Sequence, residues 1–579
     1  MSPATRKKPF RRKRKPLTQE QLHKREKKAY EKSFRVLFNK LGFTRIATDG
    51  IEIKFGGRTG EIDDIFIFKN ILVITEYTIG KVNSAHLLKK KILYDHILGN
   101  PSGFLEFAKA TYKQLPNALE SLYPADSFRI RILYASKQEP PQELIENCPS
   151  ICFNFGATTK YFQALIKTIE RSARIEFFKF IGLQYDEIGE DALRHRRDPV
   201  VYDGFLLPEG NSSYPKDYKI VSFYADPETL ISKSYVLRRD GWRDESHLYQ
   251  RILIPKKIRQ MRRYLTDEKR VFVNNIIVTL PPDTKLNAAG QHGHNLQKTE
   301  LGRVKPVSVQ IPPGFDSIGI VDGQHRVFCY HEGTDRGEKE ISQLRKRQNL
   351  LATGIVYPAS VSDIDRRSFE AKLFLEINDN QARARSALKQ DIEIIIRPYS
   401  GIAIAKRVVQ EMGRRGPYKG MLQTNYFDPP SKIKTSSIVS YGLRPIVKTE
   451  GNDSLFSIWD HKDKNKLREE KGSDQTQLLE EYIDFCTRKL NEFMVEVKQA
   501  FGSNLWDIDA QPRSPLLSPT AINGQIICLR KIIASGQALS SSAHKRKLNN
   551  IAKFKFSAYK SSQWQRLGSD LFTNHYETK

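Results

Sequence analysis

One stretch, Ile318–Tyr330 (IGIVDGQHRVFCY), limits what this chain can fold into more than any other. Apolar strand-forming residues run straight into Asp322-Gly323, and a helical spacing of apolar residues follows. That order is a strand, a tight turn and a helix, the joint from which α/β layers are built. Gly323 lets the backbone turn and come close to a ligand. The new helix offers unpaired N–H groups and the positive end of its dipole, so the joint is suited to an anion. Gln324, His325 and Arg326 add side-chain donors at the same place. Arg326 can clamp a phosphate with its planar fork, and His325 can donate a hydrogen bond or move a proton near neutral pH. Asp322 either holds magnesium through water or caps the helix. The plainer alternative is an ordinary joint with Asp322 as cap and Arg326 solvated.

The rest of the chain repeats this alternation. Tyr30, Phe34, Leu37 and Leu41 recur at helical spacing, and Gly42 ends that helix. Strand patterns follow at Ile51–Phe55, Ile62–Phe68 and Ile71–Tyr77, then a Lys-rich helix from near Ala85, a strand at Arg129–Tyr134 and a helix from about Thr159. Asp, Gly, Asn, Ser and Pro cluster over 185–215, which marks a boundary. Beyond it, strands are expected at Lys219–Tyr224, Val271–Leu280, Ser317–Val321 and Leu351–Tyr357, with helices near 254–265, 324–332 and 366–377. The polar loop 283–304 is a candidate flexible loop near a site. With 579 residues the chain exceeds one core. The expected class is α/β multidomain: a basic arm (1–18), an α/β core (19–185), an α+β domain (215–430) and a mostly helical region (431–579). In the last, Leu478, Tyr482, Phe485, Leu490 and Phe493 share a helix face, and Ser518 caps a helix opening on Pro519.

Charge points to the partner. Lys and Arg number 95 against 66 Asp and Glu, a net charge of +29. Such a balance favours an anionic partner, nucleic acid before a membrane surface. Residues 1–16 carry eight Lys or Arg and no acid. That segment cannot fold alone. Through Arg11, Arg12, Lys13, Arg14 and Lys15 it would bind phosphate in a salt-dependent way, or serve as a solubilising tail or localisation signal. No apolar run reaches the length of a membrane span. Cys148, Cys152, Cys329, Cys486 and Cys528 form no CxxC pair and no ligand set with His, so a cytoplasmic location is expected.

A second motif lies in the first domain. The segment Gly60–Thr78 (GEIDDIFIFKNILVITEYT) places Asp63 at the end of one strand and Glu76 thirteen residues on, across a hairpin. Two acids so spaced can converge on one magnesium ion and activate water for phosphodiester hydrolysis. The pattern resembles the PD-(D/E)xK nuclease core, of restriction-endonuclease-like fold, and Glu31 sits on the preceding helix where such folds often carry a further acid. The position of that family's lysine is Thr78 here. Lys81, or a lysine of the 89–91 cluster, would have to substitute; otherwise the domain is a degenerate nuclease that only binds DNA. Lys89 and Lys90 present a basic face suited to a DNA backbone.

The DGQHR string itself resembles the signature of DGQHR-domain proteins, which include DndB-like proteins associated with DNA phosphorothioate modification and look like members of the ParB/sulfiredoxin fold. Phe374–Gln381 (FLEINDNQ) resembles a stretch these proteins carry downstream, and Tyr264 through Val271–Leu280 resembles their entry helix and strand. The resemblance implies a nucleoside triphosphate ligand, with magnesium, held by Gly323, Gln324 and Arg326 and aided by Asn378 and Gln381. It implies catalytic roles for Asp322, His325 and Arg326 if the nucleotide is hydrolysed. Asn378–Asn380 as a helix C-cap is the alternative. The expected protein is thus a DNA-associated DGQHR-domain NTPase in DNA modification or restriction-type defence. The alternatives are a non-catalytic DNA-binding regulator or scaffold, and a magnesium-dependent nuclease. A homo-oligomer or DNA-modification partner proteins would complete it.

Overall fold

The computed structural model describes residues 18–194, 198–238, 253–290, 303–381, 386–424, 428–468, 475–502, 505–537, 540–548 and 551–577. The basic arm, with Arg11, Arg12, Lys13, Arg14 and Lys15, lies outside them, as does most of the 283–304 loop. The chain is mixed α/β with several sheets. Among the described residues no helix is long and apolar enough to cross a membrane.

The first unit opens with α1 (Gln19–Lys40). Thr18 caps it, and its side chain exchanges hydrogen bonds with Gln21 in a capping box. Phe34 and Phe38 face inward, and Phe38 stacks on Phe66 at 3.8 Å. Then come β1 (Thr44–Ala47), the separate hairpin β2 (Glu52–Phe55) and β3 (Arg58–Glu61), β4 (Asp64–Phe68) and β5 (Ile71–Thr78). Helices α2 (Ser84–Gly99) and α3 (Pro101–Thr111) cross over to β6 (Arg129–Ser136), and β7 (Ile151–Asn154) follows. The sheet order is β1-β4-β5-β6-β7, with β5, β6 and β7 parallel and β4 antiparallel to β5. β5 is buried along nearly its whole length, as a strand covered on both faces must be, which is why it reads as one apolar run. The expected strand Ile62–Phe68 is broken: β3 ends at Glu61 and β4 starts at Asp64. Asp63 sits in that break. Helices α4 (Gly156–Ile169) and α5 (Arg174–Phe180) close the unit.

The second unit is an eight-stranded sheet of order β10-β14-β11-β15-β9-β8-β13-β12. Its strands are β8 (Val200–Leu207), β9 (Lys219–Ala225), β10 (Ser234–Tyr235), β11 (Ile276–Leu280), β12 (Lys285–Ala288), β13 (Lys305–Ile311), β14 (Ile318–Asp322) and β15 (Leu350–Val356). The sheet thus begins at Val200, ahead of the expected start at 215, and the strand expected from Val271 begins only at Ile276. Helices α6 (Pro227–Lys233), α7 (Pro255–Glu268), α8 (Gln324–Phe328) and α9 (Glu338–Arg347) lie between strands. On one face α10 (Asp363–Gln381) packs Leu373, Phe374 and Ile377 over Val321, Ile355 and Ile277. Its Glu370 is buried and accepts hydrogen bonds from Tyr235 (2.5 Å), Thr279 (2.7 Å) and Tyr357 (3.0 Å), which fixes the helix to the sheet.

The other face shares one continuous core with the first unit: Phe177, Phe178 and Ile181 belong to the same cluster as Val221, Phe223, Val307 and Ile320. Ion pairs seal the rim. Arg171 and Arg174 hold Glu332 at 3.1 and 2.6 Å, and Lys179 holds Asp316 at 2.7 Å.

The remainder is mostly helical: α11 (Ser386–Ile396), α12 (Gly401–Arg414), α13 (Thr476–Phe501), α14 (Pro519–Ala534) and α15 (Trp564–His575), with a second core that starts at Ile404 rather than past 431. Tyr482, Phe485, Leu490 and Phe493 are buried as the spacing predicts, whereas Leu479 takes the inward place next to Leu478. Ser518 caps α14 by accepting the Ala521 N–H.

Candidate functional site

In the first unit, the gap between β3 and β4 turns Asp63 toward β5. Its carboxylate accepts the backbone N–H of Tyr77 at 2.9 Å, where a strand partner would otherwise bond. Glu76, on β5 and 7% exposed, lies near enough for the two charges to repel. The Lys90 ammonium contacts one oxygen of Glu76 and donates to the Glu61 carbonyl at 3.2 Å; the Tyr94 hydroxyl donates to the other oxygen. Lys90 and Tyr94 are four apart on α2 and therefore share a face. Burial first, then the Asp63 charge, pushes the Glu76 carboxyl up to about 7, against the opposing pull of Lys90. Burial also raises Tyr94, with Glu76 adding to it.

The neighbouring Asp64 does other work. It is fully buried and bridges Arg35 (2.7 Å), Arg45 (2.5 Å) and the Tyr77 hydroxyl (3.1 Å). Alternation along the chain sends Asp63 to the site and Asp64 to a structural ion cluster. Glu31 reaches Arg35 at 3.3 Å and Lys27 at 3.7 Å; burial raises its carboxyl, with Asp63 among the nearby charges that contribute. Thr78, two residues past Glu76, shares a 2.8 Å hydrogen bond with the Tyr134 hydroxyl.

The structure therefore brings Asp63, Glu76 and Lys90 together, with Glu31 close enough to Asp63 to feel its charge. It leaves Lys81 and Lys89 exposed, with no ion pair among the described residues. Tyr94 was missed in the sequence, although its spacing from Lys90 would have placed it. Asp63 and Glu76 fit a magnesium ion, which uses one or two carboxylates and keeps several waters. Two crowded acids, one held above its ordinary range, are the donor set a divalent cation relieves. Among the described residues no group of three or more His, Cys, Asp or Glu could hold a metal.

In the second unit the DGQHR residues form the expected strand, turn and helix. Gly323 has φ +98°, and a Cβ there would lie 2.5 Å from the Ile276 side chain and 3.0 Å from Arg326. The turn needs both the left-handed backbone and the missing side chain. Three expectations change. The helix is Gln324–Phe328, only five residues, not 324–332, so its dipole contributes little. Asp322 does not cap it: its carboxylate accepts from Arg326 at 2.7 Å, and Arg326 also donates to the Asn275 carbonyl at 2.9 Å. His325 is not poised near neutral pH. Burial, then Lys257, Arg238 and Arg326, depress it to about 4, and its Nε2 accepts the Ile254 N–H at 3.1 Å.

That list of neighbours defines the site's electrostatics: three cations surround the loop, with Asp322 opposing. Arg238, which no sequence pattern singled out, is fully buried. Its Nε donates to the Gln324 side chain at 3.0 Å, it lies 4.7 Å over the Phe328 ring, and among the described residues it pairs with Glu176 at 3.7 Å. Among the described residues, both terminal nitrogens of Arg238 and Nε of Arg326 are buried without a hydrogen-bond partner.

Asn378 lies within α10 and donates to the Phe374 carbonyl at 2.8 Å, one turn back, so it is not a C-cap residue. Leu373 and Phe374 bring that helix against Val321, next to the loop. Gln381 ends α10, and its side chain lies outside the described residues. All five cysteines are free. Comparison with protein-family models, curated proteins and solved structures finds no match to this chain.

Proposed function

We propose that this chain acts on nucleic-acid phosphate and that its first unit is a PD-(D/E)xK-like, magnesium-dependent phosphodiesterase. One observation carries the reading: the Lys90 ammonium stands on Glu76, beside Asp63. It supplies from α2 the cation that Thr78 lacks. In this reading Asp63 and Glu76 would hold magnesium, which would supply Lewis-acid chemistry at a phosphoryl oxygen and a water. Lys90 orients that water or offsets charge on the transferring phosphate. Glu31 sets the local field. The topology supports this, since Glu31 lies on the opening helix, Glu76 on the central strand β5 and Asp63 immediately before β4, its antiparallel neighbour.

The test is cleavage of duplex and single-stranded DNA and of RNA with magnesium, beside Glu76→Ala and Lys90→Ala. Cleavage lost in both variants upholds the reading. No cleavage of any substrate by the wild type leaves a DNA-binding scaffold with a degenerate nuclease domain.

A second reading concerns the DGQHR loop, taken as a DndB-like module of ParB/sulfiredoxin type that holds a nucleoside triphosphate. What favours it is the surplus of buried, unsatisfied cationic nitrogens on Arg238 and Arg326, which an anion would satisfy. Asp322 and His325 would then position the phosphates and any attacking water. Hydrolysis of the four ribonucleoside triphosphates, with and without DNA, decides between an NTPase and a nucleotide sensor. DNA modification or restriction-type defence is the setting both readings suit.

A further inference from the structure

α1 carries more than Glu31. At about 100° per residue, the exposed residues Lys28, Lys32 and Arg25 fall roughly 60°, 100° and 120° round the helix from Glu31, all on one flank. Tyr30 and Leu37, which pack on the core, occupy the other flank. The cation row therefore begins where the acid site ends. Arg25, Lys28 and Lys32 have no ion-pair partner among the described residues. The helix's own acids are engaged elsewhere: Glu20 on Lys24, Glu26 on Lys137 and Glu31 on Arg35. A row of unpaired like charges on one helix costs stability through mutual repulsion. From Arg25 to Lys32 the helix advances about 10 Å, the length of duplex axis over which one DNA strand passes roughly three phosphates. Lys89 of α2, one residue before Lys90, is likewise exposed and has no ion pair among the described residues.

We infer that the Arg25–Lys28–Lys32 flank of α1 is a docking track for one strand of duplex DNA, leading its backbone toward the Asp63–Glu76–Lys90 site. The inference rests on the phosphodiesterase reading for its direction, while the binding itself can be tested alone. The experiment is equilibrium binding of a fluorescent DNA duplex to the full chain across a salt series without divalent metal. Wild type is set beside Arg25→Gln/Lys28→Gln/Lys32→Gln and a control, Lys545→Gln/Arg546→Gln/Lys547→Gln, which removes equal charge from the C-terminal region.

Each lost phosphate contact lowers the slope of log affinity against log salt by about 0.9. The α1 variant is expected to lose about 2.7 from the slope, and the control to keep the wild-type value. An unchanged slope in the α1 variant overturns the track. So does an equal loss in both variants, which would reduce the effect to net charge. Cleavage of the same duplex with magnesium is read separately. A lowered slope without wild-type cleavage sinks the phosphodiesterase and leaves the track standing; cleavage with an unchanged slope does the reverse.

Discussion

The Lys90 ammonium meets the Glu76 carboxylate although a strand end and a helix turn separate them by fourteen residues. The position two beyond Glu76, Thr78, is given instead to a hydrogen bond with Tyr134.

Lys90→Ala is therefore expected to lower the single-turnover cleavage rate by about 100- to 1000-fold, the usual loss when one preorganised charge at a phosphoryl site is removed. Lys81→Ala is expected to match wild type. Equal losses in the two variants would show that α2 does not supply the functional cation.

Glu76 makes stability and activity move in opposite directions with pH. Its carboxyl ionises at about 7 in the folded protein and near 4.5 when unfolded. Between those values the folded state keeps a proton the unfolded chain has lost, so stability falls as pH rises through the window and levels off above it. The drop attributable to this group is on the order of 3 kcal/mol. Glu76→Gln should remove it, which thermal melts of both proteins at pH 5 and pH 8 would reveal. Magnesium-dependent cleavage should rise with pH through about 7 as the carboxylate becomes free to bind metal. A rate flat from pH 5.5 to 8 would contradict this.

Gly323→Ala must force a left-handed backbone and a 2.5 Å approach to Ile276. We expect a loss of about 1–3 kcal/mol in denaturant unfolding, together with loss of nucleotide binding in calorimetry. A variant as stable as wild type would mean that the turn can take another form.

Arg238→Met separates a structural from a binding role. A buried charge with two nitrogens unsatisfied among the described residues is costly, and Glu176 keeps Lys179 at 3.7 Å when Arg238 is replaced, so no buried charge is left unpaired. Melting should therefore change little, while affinity for a nucleoside triphosphate should fall at least tenfold. Strong destabilisation with affinity intact would make Arg238 a strut between Glu176 and Gln324.

The elements were largely legible from residue patterns. The central strands read as apolar runs, and α13 and α14 declared themselves by periodicity and by the Ser518 cap. The late start of β4 at Asp64 was passed over although Asp63 and Asp64 are poor strand formers; what the sequence does not show is that Asp63 turns inward to the Tyr77 N–H. The short helix after Gly323 was overread: apolar spacing continues through Tyr330, yet Tyr330 and His331 turn away into the core. Within the sites, Asp63, Glu76 and the lysine cluster could be named from spacing alone. Arg238 could not, since a single arginine outside any motif gives no sign that it will be fully buried.

The core common to Phe177, Phe178 and the eight-stranded sheet bears on how this gene can be cut and recombined. A fragment ending near residue 185 would cut a core that runs on into the eight-stranded sheet, and would leave Arg171 and Arg174 without Glu332 and Lys179 without Asp316. The two units should melt in one transition and resist proteases at their seam. The front half is not a cassette that another protein could borrow intact. A substitution on either side of the seam is felt by both, so the acid site and the DGQHR loop inherit each other's mutational load.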